Sequence, residues 1–251
     1  MKLLENQTLL YDDDCPLCRV YTKGFISAGM LDENGKRPYC QLTEDEQVFI
    51  DLKRAANEIA LVDTKNKTVL YGVDSLLKVI GNSFPWMEKV GNWRTVNYFL
   101  RKLYKFISFN RKVIVPSVQN KNLALLCMPD FNIKYRWFYI GFTIIISCIF
   151  NFKSANHFGY NFKIFEMLLL NIALILPNFL LIFNYNFKFI LNWIGNFQTS
   201  IMLFSVGLFF LTSIDFIIKI QVSMLSIIYY LIVGLLVIDL LRRFTIAKAN
   251  L

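Results

Sequence analysis

The chain has 251 residues, of which 55% are hydrophobic, 16% aromatic and 18% charged, with a net charge of +9. This content excludes a disordered chain, which needs low hydrophobicity and high charge. It also argues against one ordinary soluble domain, which must keep a polar surface.

The composition is uneven along the chain. Residues 1–120 carry 17 Lys and Arg against 14 Asp and Glu, close to a soluble domain. Residues 121–251 carry 10 against 4, set between long apolar runs. No compact basic patch interleaved with aromatics appears, so nothing points to nucleic acid. The five cysteines, Cys15, Cys18, Cys40, Cys127 and Cys148, are odd in number with one close pair. That pattern does not fit a secreted disulfide framework. Met1-Lys2-Leu3-Leu4 runs at once into Glu5, Asn6 and Gln7, so no signal peptide is expected.

In chain order, Thr8–Tyr11 reads as a short strand and Pro16–Gly29 as a helix with a glycine cap. Pro38–Leu42 is a second strand. Thr43-Glu44-Asp45-Glu46 has capping-box spacing, which predicts a helix to about Ala56. Glu58–Asp63 and Thr68–Tyr71 flank the polar turn Thr64–Lys67 as a hairpin. Asp74 is the expected N-cap of a helix to about Ile80, and Asn92 of a longer one to about Phe109. The order is β-α-β-α-β-β-α plus an extra helix. A helix joins the first two strands, so they should be parallel; the last two should be antiparallel. This is the element order of the thioredoxin fold. Residues 1–115 are therefore expected to form an α/β thioredoxin-like domain, with residues 116–134 as connector.

Residues 135–251 are expected to form an all-α transmembrane region. Four spans are predicted, over about 135–152, 164–183, 199–218 and 222–241, because about 20 apolar residues cross the hydrocarbon layer. Phe187–Trp193 reads as an interfacial stretch ahead of the third span. Lys and Arg cluster before the first span (Arg111, Lys112, Lys121, Lys134, Arg136) and after the fourth (Arg242, Arg243, Lys248). The positive-inside rule then puts the front domain and the C-terminus in the cytoplasm, at the inner membrane.

Chemistry concentrates at Cys15-Pro16-Leu17-Cys18, where the first strand hands over to the first helix. Two cysteines three apart at a helix start share a face and lie within disulfide reach. Free backbone N–H groups and the helix dipole favour a thiolate at Cys15. Pro16 costs nothing in the first turn. Cys15 is thus the expected nucleophile and Cys18 the resolving thiol of thiol–disulfide exchange. Asp12, Asp13 and Asp14 precede the pair. Asp14 is the best helix cap, a buried acid is a possible proton acceptor for Cys18, and acids near Cys15 would raise its pKa. A lone CxxC also fits half a zinc site or a structural pair. The single histidine, His157, lies in the loop after the first span, predicted to be across the membrane.

Leu9-Leu10-Tyr11-Asp12-Asp13-Asp14-Cys15-Pro16-Leu17-Cys18 resembles the signature of the DCC family of thiol–disulfide oxidoreductases. The family's Asp-x-x-Cys-x-x-Cys motif falls on Asp12, Cys15 and Cys18. Asp13 stands where typical members have Gly, which bears on the local turn. Val69–Leu77 is similar to the family's hairpin-to-helix segment, and Leu103–Arg111 to its terminal helix with Asn110-Arg111. The resemblance covers about residues 7–115 and implies a thioredoxin-like domain with a redox-active dithiol. Where thioredoxins carry a cis-proline, this chain reads Ala56-Asn57-Glu58-Ile59.

The expectation is a membrane-anchored thiol–disulfide oxidoreductase of the protein-disulfide reductase type, with catalytic Cys15, Cys18, Asp12 and Asp14. It implies no cofactor and no metal. Its expected partners are a protein or small-molecule disulfide or thiol, and membrane lipid around the spans. The alternative is a non-enzymatic interaction or transport protein whose front domain senses redox state or binds metal. Cys40 reads as a buried residue of the second strand, Cys127 as a loop thiol or acylation site, and Cys148 as span packing. Glu166, Asp215 and Asp239 lie near span ends; Lys219 is the expected partner of Asp215, and Arg242 and Arg243 those of Asp239.

Overall fold

The computed structural model describes residue 4, residues 6–120, 125, 127, 129–157, 163–182, 184–218 and 222–250. Two compact units divide the chain, Met1–Asn132 and Ile133–Leu251.

The front unit begins with β1 (Gln7–Tyr11), α1 (Pro16–Ser27) and β2 (Lys36–Pro38). β1 and β2 are parallel, with Leu9 opposite Lys36, as the intervening helix requires. Gly29 adopts a left-handed φ of 63° just past α1, and its N–H donates to the Ile26 carbonyl at 2.8 Å. The expected glycine cap is therefore present. β2 is earlier and shorter than the expected Pro38–Leu42. Pro38 ends it, and Tyr39–Gln41 forms a 3-10 turn that carries Cys40. The turn carries Tyr39 into the core, where its hydroxyl donates to the Leu52 carbonyl at 3.0 Å.

The predicted helix over 43–56 is two short ones, α2 (Glu44–Gln47) and α3 (Leu52–Asn57). The capping box forms, with the Thr43 N–H donating to Glu46 Oε2 at 3.0 Å. Asp51 breaks the run, because its carboxylate accepts from the Arg54 N–H at 2.9 Å and starts α3. β3 (Ala60–Asp63) and β4 (Thr68–Tyr71) form the expected hairpin, and β3 also pairs antiparallel with β1. The result is a mixed sheet in the order β2-β1-β3-β4.

Strand alternation splits the core into two layers. Leu10, Ala60 and Val62 pack with Tyr39, Leu42, Ile50 and Ala55. Leu9 and Leu61 pack with Leu31, Ile59 and Val79.

α4 (Val73–Ser83), α5 (Pro85–Asn92) and α6 (Arg94–Ile114) complete the unit. Two expected caps move. Gly72, at φ 61°, is the N-cap of α4; Asp74 lies inside its first turn and binds Arg101 at 2.6 and 2.8 Å. Asn92 ends α5 instead of capping the next helix, and Trp93 leads into α6. α6 runs past Phe109 because Asn110, Arg111 and Val113 are buried.

The second unit holds α7 (Ile133–His157), α8 (Ile164–Ile182), α9 (Phe187–Ile218) and α10 (Val222–Ala249). α7, α9 and α10 are long and apolar enough to cross a membrane, and α8 is apolar over Ile164–Leu176. Phe187–Trp193 is not a separate interfacial stretch. It forms the first turns of α9, with Phe189, Ile190, Leu191 and Trp193 buried by packing. α7 and α9 run parallel: Tyr139 meets Thr199 at 2.7 Å near one end, and His157 meets Asp215 at 2.7 Å near the other. α10 is antiparallel to α9, since Ser200 reaches Asp239 and Trp193 reaches Phe244.

His157 is the last residue of α7, not a loop residue. Lys219 lies outside the described residues. The expected pairs of Asp239 with Arg242 and Arg243 form at 2.8 and 2.7 Å.

Candidate active site

Cys15 is the N-cap residue of α1 and Pro16 fills the first helical position. The preceding turn closes through the Cys15 N–H, which donates to the Asp12 carbonyl at 3.1 Å. Among the described non-glycine residues, only Asn6 and Lys67 have positive φ. The turn therefore needs no left-handed residue at Asp13, and replacing glycine there is sterically allowed.

All five cysteines are free thiols. Cys15 is 0% exposed and Cys18 5%, packed with Tyr11, Leu17 and Tyr21. The Cys18 thiol and backbone N–H both donate to the Cys15 sulfur, and the thiol bond is the largest single cause of a Cys15 pKa lowered to about 6. Burial opposes this, the Arg111 charge assists, and the Asp12 charge opposes more weakly. The helix start and its donors thus outweigh the acids. Cys18 moves the other way: donating to Cys15 and burial both hold it as a thiol. The pair is split into one thiolate and one proton-carrying partner.

Asp12 is 3% exposed. Its Oδ2 pairs with Arg111 at 3.2 Å and Lys112 at 3.0 Å, and its Oδ1 accepts from the Asp14 N–H at 3.1 Å. Asp14 does not cap α1. Cys15, with no side-chain cap bond, occupies that position, and Asp14 Oδ2 instead accepts from the Asn120 N–H at 3.1 Å.

Arg111 is the residue that sequence reasoning underused. Its place in the sequence groups it with Lys112 among membrane-flanking charges, yet it is 5% exposed inside the front unit. Its guanidinium donates to Asp12 and to the carbonyls of Ala56 at 3.0 Å and Asn57 at 3.3 Å. It also reaches Cys127 Sγ at 3.6 Å. The Ala56-Asn57 segment, which lacks the thioredoxin proline, is therefore tied to α6 by this arginine. The Asn110-Arg111 block was the one available signal. Cys127 is not an idle loop thiol. It is half-buried against the core near Tyr39 and Ala55, and burial pushes its pKa up to about 12.

A cavity of about 230 Å³ lies beside the dithiol turn. Its walls include Asp12, Asp13, Asp14, Cys40, Asn120 and Cys127. Cys40 thus sits with the site from its 3-10 turn, and burial raises its pKa.

No curated protein and no solved structure matches the chain. Residues 9–115 do match a family model, spanning the dithiol turn, the four-stranded sheet and α6 with Arg111. The matching model is that of the DCC1-like thiol-disulfide oxidoreductase family, so the front part of the chain is similar to that family.

Proposed function

We propose that the chain is a membrane-anchored protein-disulfide reductase whose thioredoxin-like domain, residues 1–115, works through Cys15 and Cys18. The observation that carries this reading is the divided pair: Cys15 held as a thiolate by hydrogen bonds from Cys18, and Cys18 held as a thiol. Cys15 attacks a sulfur of the substrate disulfide, forms a mixed disulfide and releases one substrate thiolate. Cys18 then gives up its proton, attacks Cys15 and releases the second substrate thiolate. The substrate gains two electrons and the dithiol becomes a disulfide. Asp12 acts in this reading as a positioning group, because two cations already occupy its carboxylate. Asp14 contributes to the wall of the neighbouring cavity.

Four spans anchor the domain in this reading. Parallel α7 and α9 support it, since two helices that cross in the same direction need a return crossing between them. α8 supplies 19 residues, about 28 Å at the helical rise, close to the hydrocarbon thickness. The flanking Lys and Arg favour a cytoplasmic front domain and C-terminus.

The test is reduction of insulin disulfides by the full chain in detergent with a thiol reductant. Wild type accelerates the reaction, and Cys15→Ser abolishes the acceleration. Full activity in Cys15→Ser would remove Cys15 as the nucleophile.

A further inference from the structure

We propose that the second unit binds a phosphate-bearing anion, of the kind an acidic phospholipid headgroup presents, at Arg136 in the first turn of α7. Arg136 is 5% exposed, yet it forms no ion pair with any described residue. Its Nε and Nη1 are buried without hydrogen-bond partners. A guanidinium in a span is costly and ordinarily faces a partner.

The surroundings explain why no described protein group supplies that partner. Tyr139 lies one turn from Arg136 on α7, and its hydroxyl bonds Thr199 of α9 at 2.7 Å. Tyr139 interacts electrostatically with both Arg136 and Arg243. Among the described residues, Asp239 is the carboxylate that the Arg242 and Arg243 guanidiniums meet, and it is fully engaged. Its Oδ2 accepts from Arg243 Nε and Ser200 Oγ, each at 2.7 Å, and its Oδ1 from Arg242 at 2.8 Å. Arg243 also donates to Asn196 at 3.2 Å. Two guanidiniums, Arg242 and Arg243, therefore share that carboxylate, and Arg136 has no carboxylate partner among the described residues. A planar fork with two vacant donors matches phosphate oxygens. Basic pockets between helices at a membrane surface are suited to acidic headgroups. The site uses no residue of the dithiol, so it stands apart from the proposed reductase chemistry.

The test is thermal unfolding of the full chain in neutral detergent, titrated separately with phosphatidylglycerol, phosphatidylcholine and inorganic phosphate. Phosphatidylglycerol is expected to raise Tm saturably by about 5 °C well above its dissociation constant, with no rise from phosphatidylcholine. A rise with inorganic phosphate as well assigns the site to small anions; a rise with the lipid alone assigns it to a headgroup. Arg136→Gln should lose the response while Cys15→Ser keeps it. If Arg136→Gln does not fold, Arg136→Lys serves, and a weakened response is expected because the fork is lost. No rise with either anion, or an undiminished response in both Arg136 variants, would overturn the proposal.

Discussion

Cys15 ionises at about 6 in the folded chain, below the range of a free thiol. Because the folded value is depressed, ionisation stabilises the reduced fold above the unfolded pKa. That contribution is lost as pH falls through about 6. Alkylation of Cys15 by iodoacetamide should follow the same titration, flat above pH 7 and falling below pH 6. Cys18→Ala should move the midpoint upward toward an ordinary thiol, because the largest stabilising bond is gone; peptide mapping of the labelled cysteine reads this. A midpoint unchanged in Cys18→Ala contradicts the assigned cause.

Arg111 is the other residue on which the site depends. Removing it leaves the buried Asp12 carboxylate with Lys112 as its one cation among the described residues, beside the Asp14 N–H. Arg111→Ala is expected to cost about 3 kcal/mol, the lower end for breaking a buried pair. Denaturant unfolding of the front unit, followed by hydrogen exchange of the β1 amides, measures the loss. The same variant should raise the Cys15 midpoint, since the Arg111 charge favours the thiolate. Little of this was visible in the sequence. The dithiol declares itself by spacing. Arg111 lies 99 positions from Asp12, and a contact of that separation leaves no local pattern.

The elements were legible where a local device fixes them. The capping box at Thr43, the Gly29 cap, the hairpin at 64–67 and the parallel β1–β2 pair all appear. Boundaries slipped where two local signals compete. Asp51 restarts a helix that periodicity alone would carry through. Tyr39 turns inward at its tertiary partner Leu52 and ends a strand that β-propensity would extend. Asp74 and Asn92 each look like caps, but Gly72 and Trp93 hold those positions. Gly72 gives the sharpest test at this scale. At φ 61° and ψ −125° it occupies backbone that side chains rarely adopt, and an added Cβ would stand 2.8 Å from Glu58 Oε2. Gly72→Ala should cost about 2 kcal/mol, read by denaturant midpoint at unchanged slope. A neutral outcome would mean that the β4–α4 junction has another backbone solution.

At the scale of the whole chain, the composition averages two units of opposite character. The front unit carries nearly balanced charge, whereas α7, α9 and α10 are long apolar helices with much exposed apolar surface. A detergent-free aqueous form would expose patches that soluble monomers avoid. The proposed topology puts the turn at Asn66 and the end of α10 on one side, and the end of α7 on the other. An impermeant maleimide applied to sealed cells, with native thiols blocked, should label Asn156→Cys. It should label Asn66→Cys and Asn250→Cys only after the inner face is opened. Labelling of Asn250→Cys in sealed cells would contradict the four-span arrangement or its orientation.

The central claim is that Cys15 attacks and Cys18 resolves. It is tested most directly by mixing the full-length Cys18→Ser variant with a disulfide substrate and locating the trapped adduct by mass spectrometry. A stable mixed disulfide on Cys15, absent from wild type under the same conditions, is the predicted result. No adduct, or an adduct on Cys40 or Cys127 in place of Cys15, would contradict it.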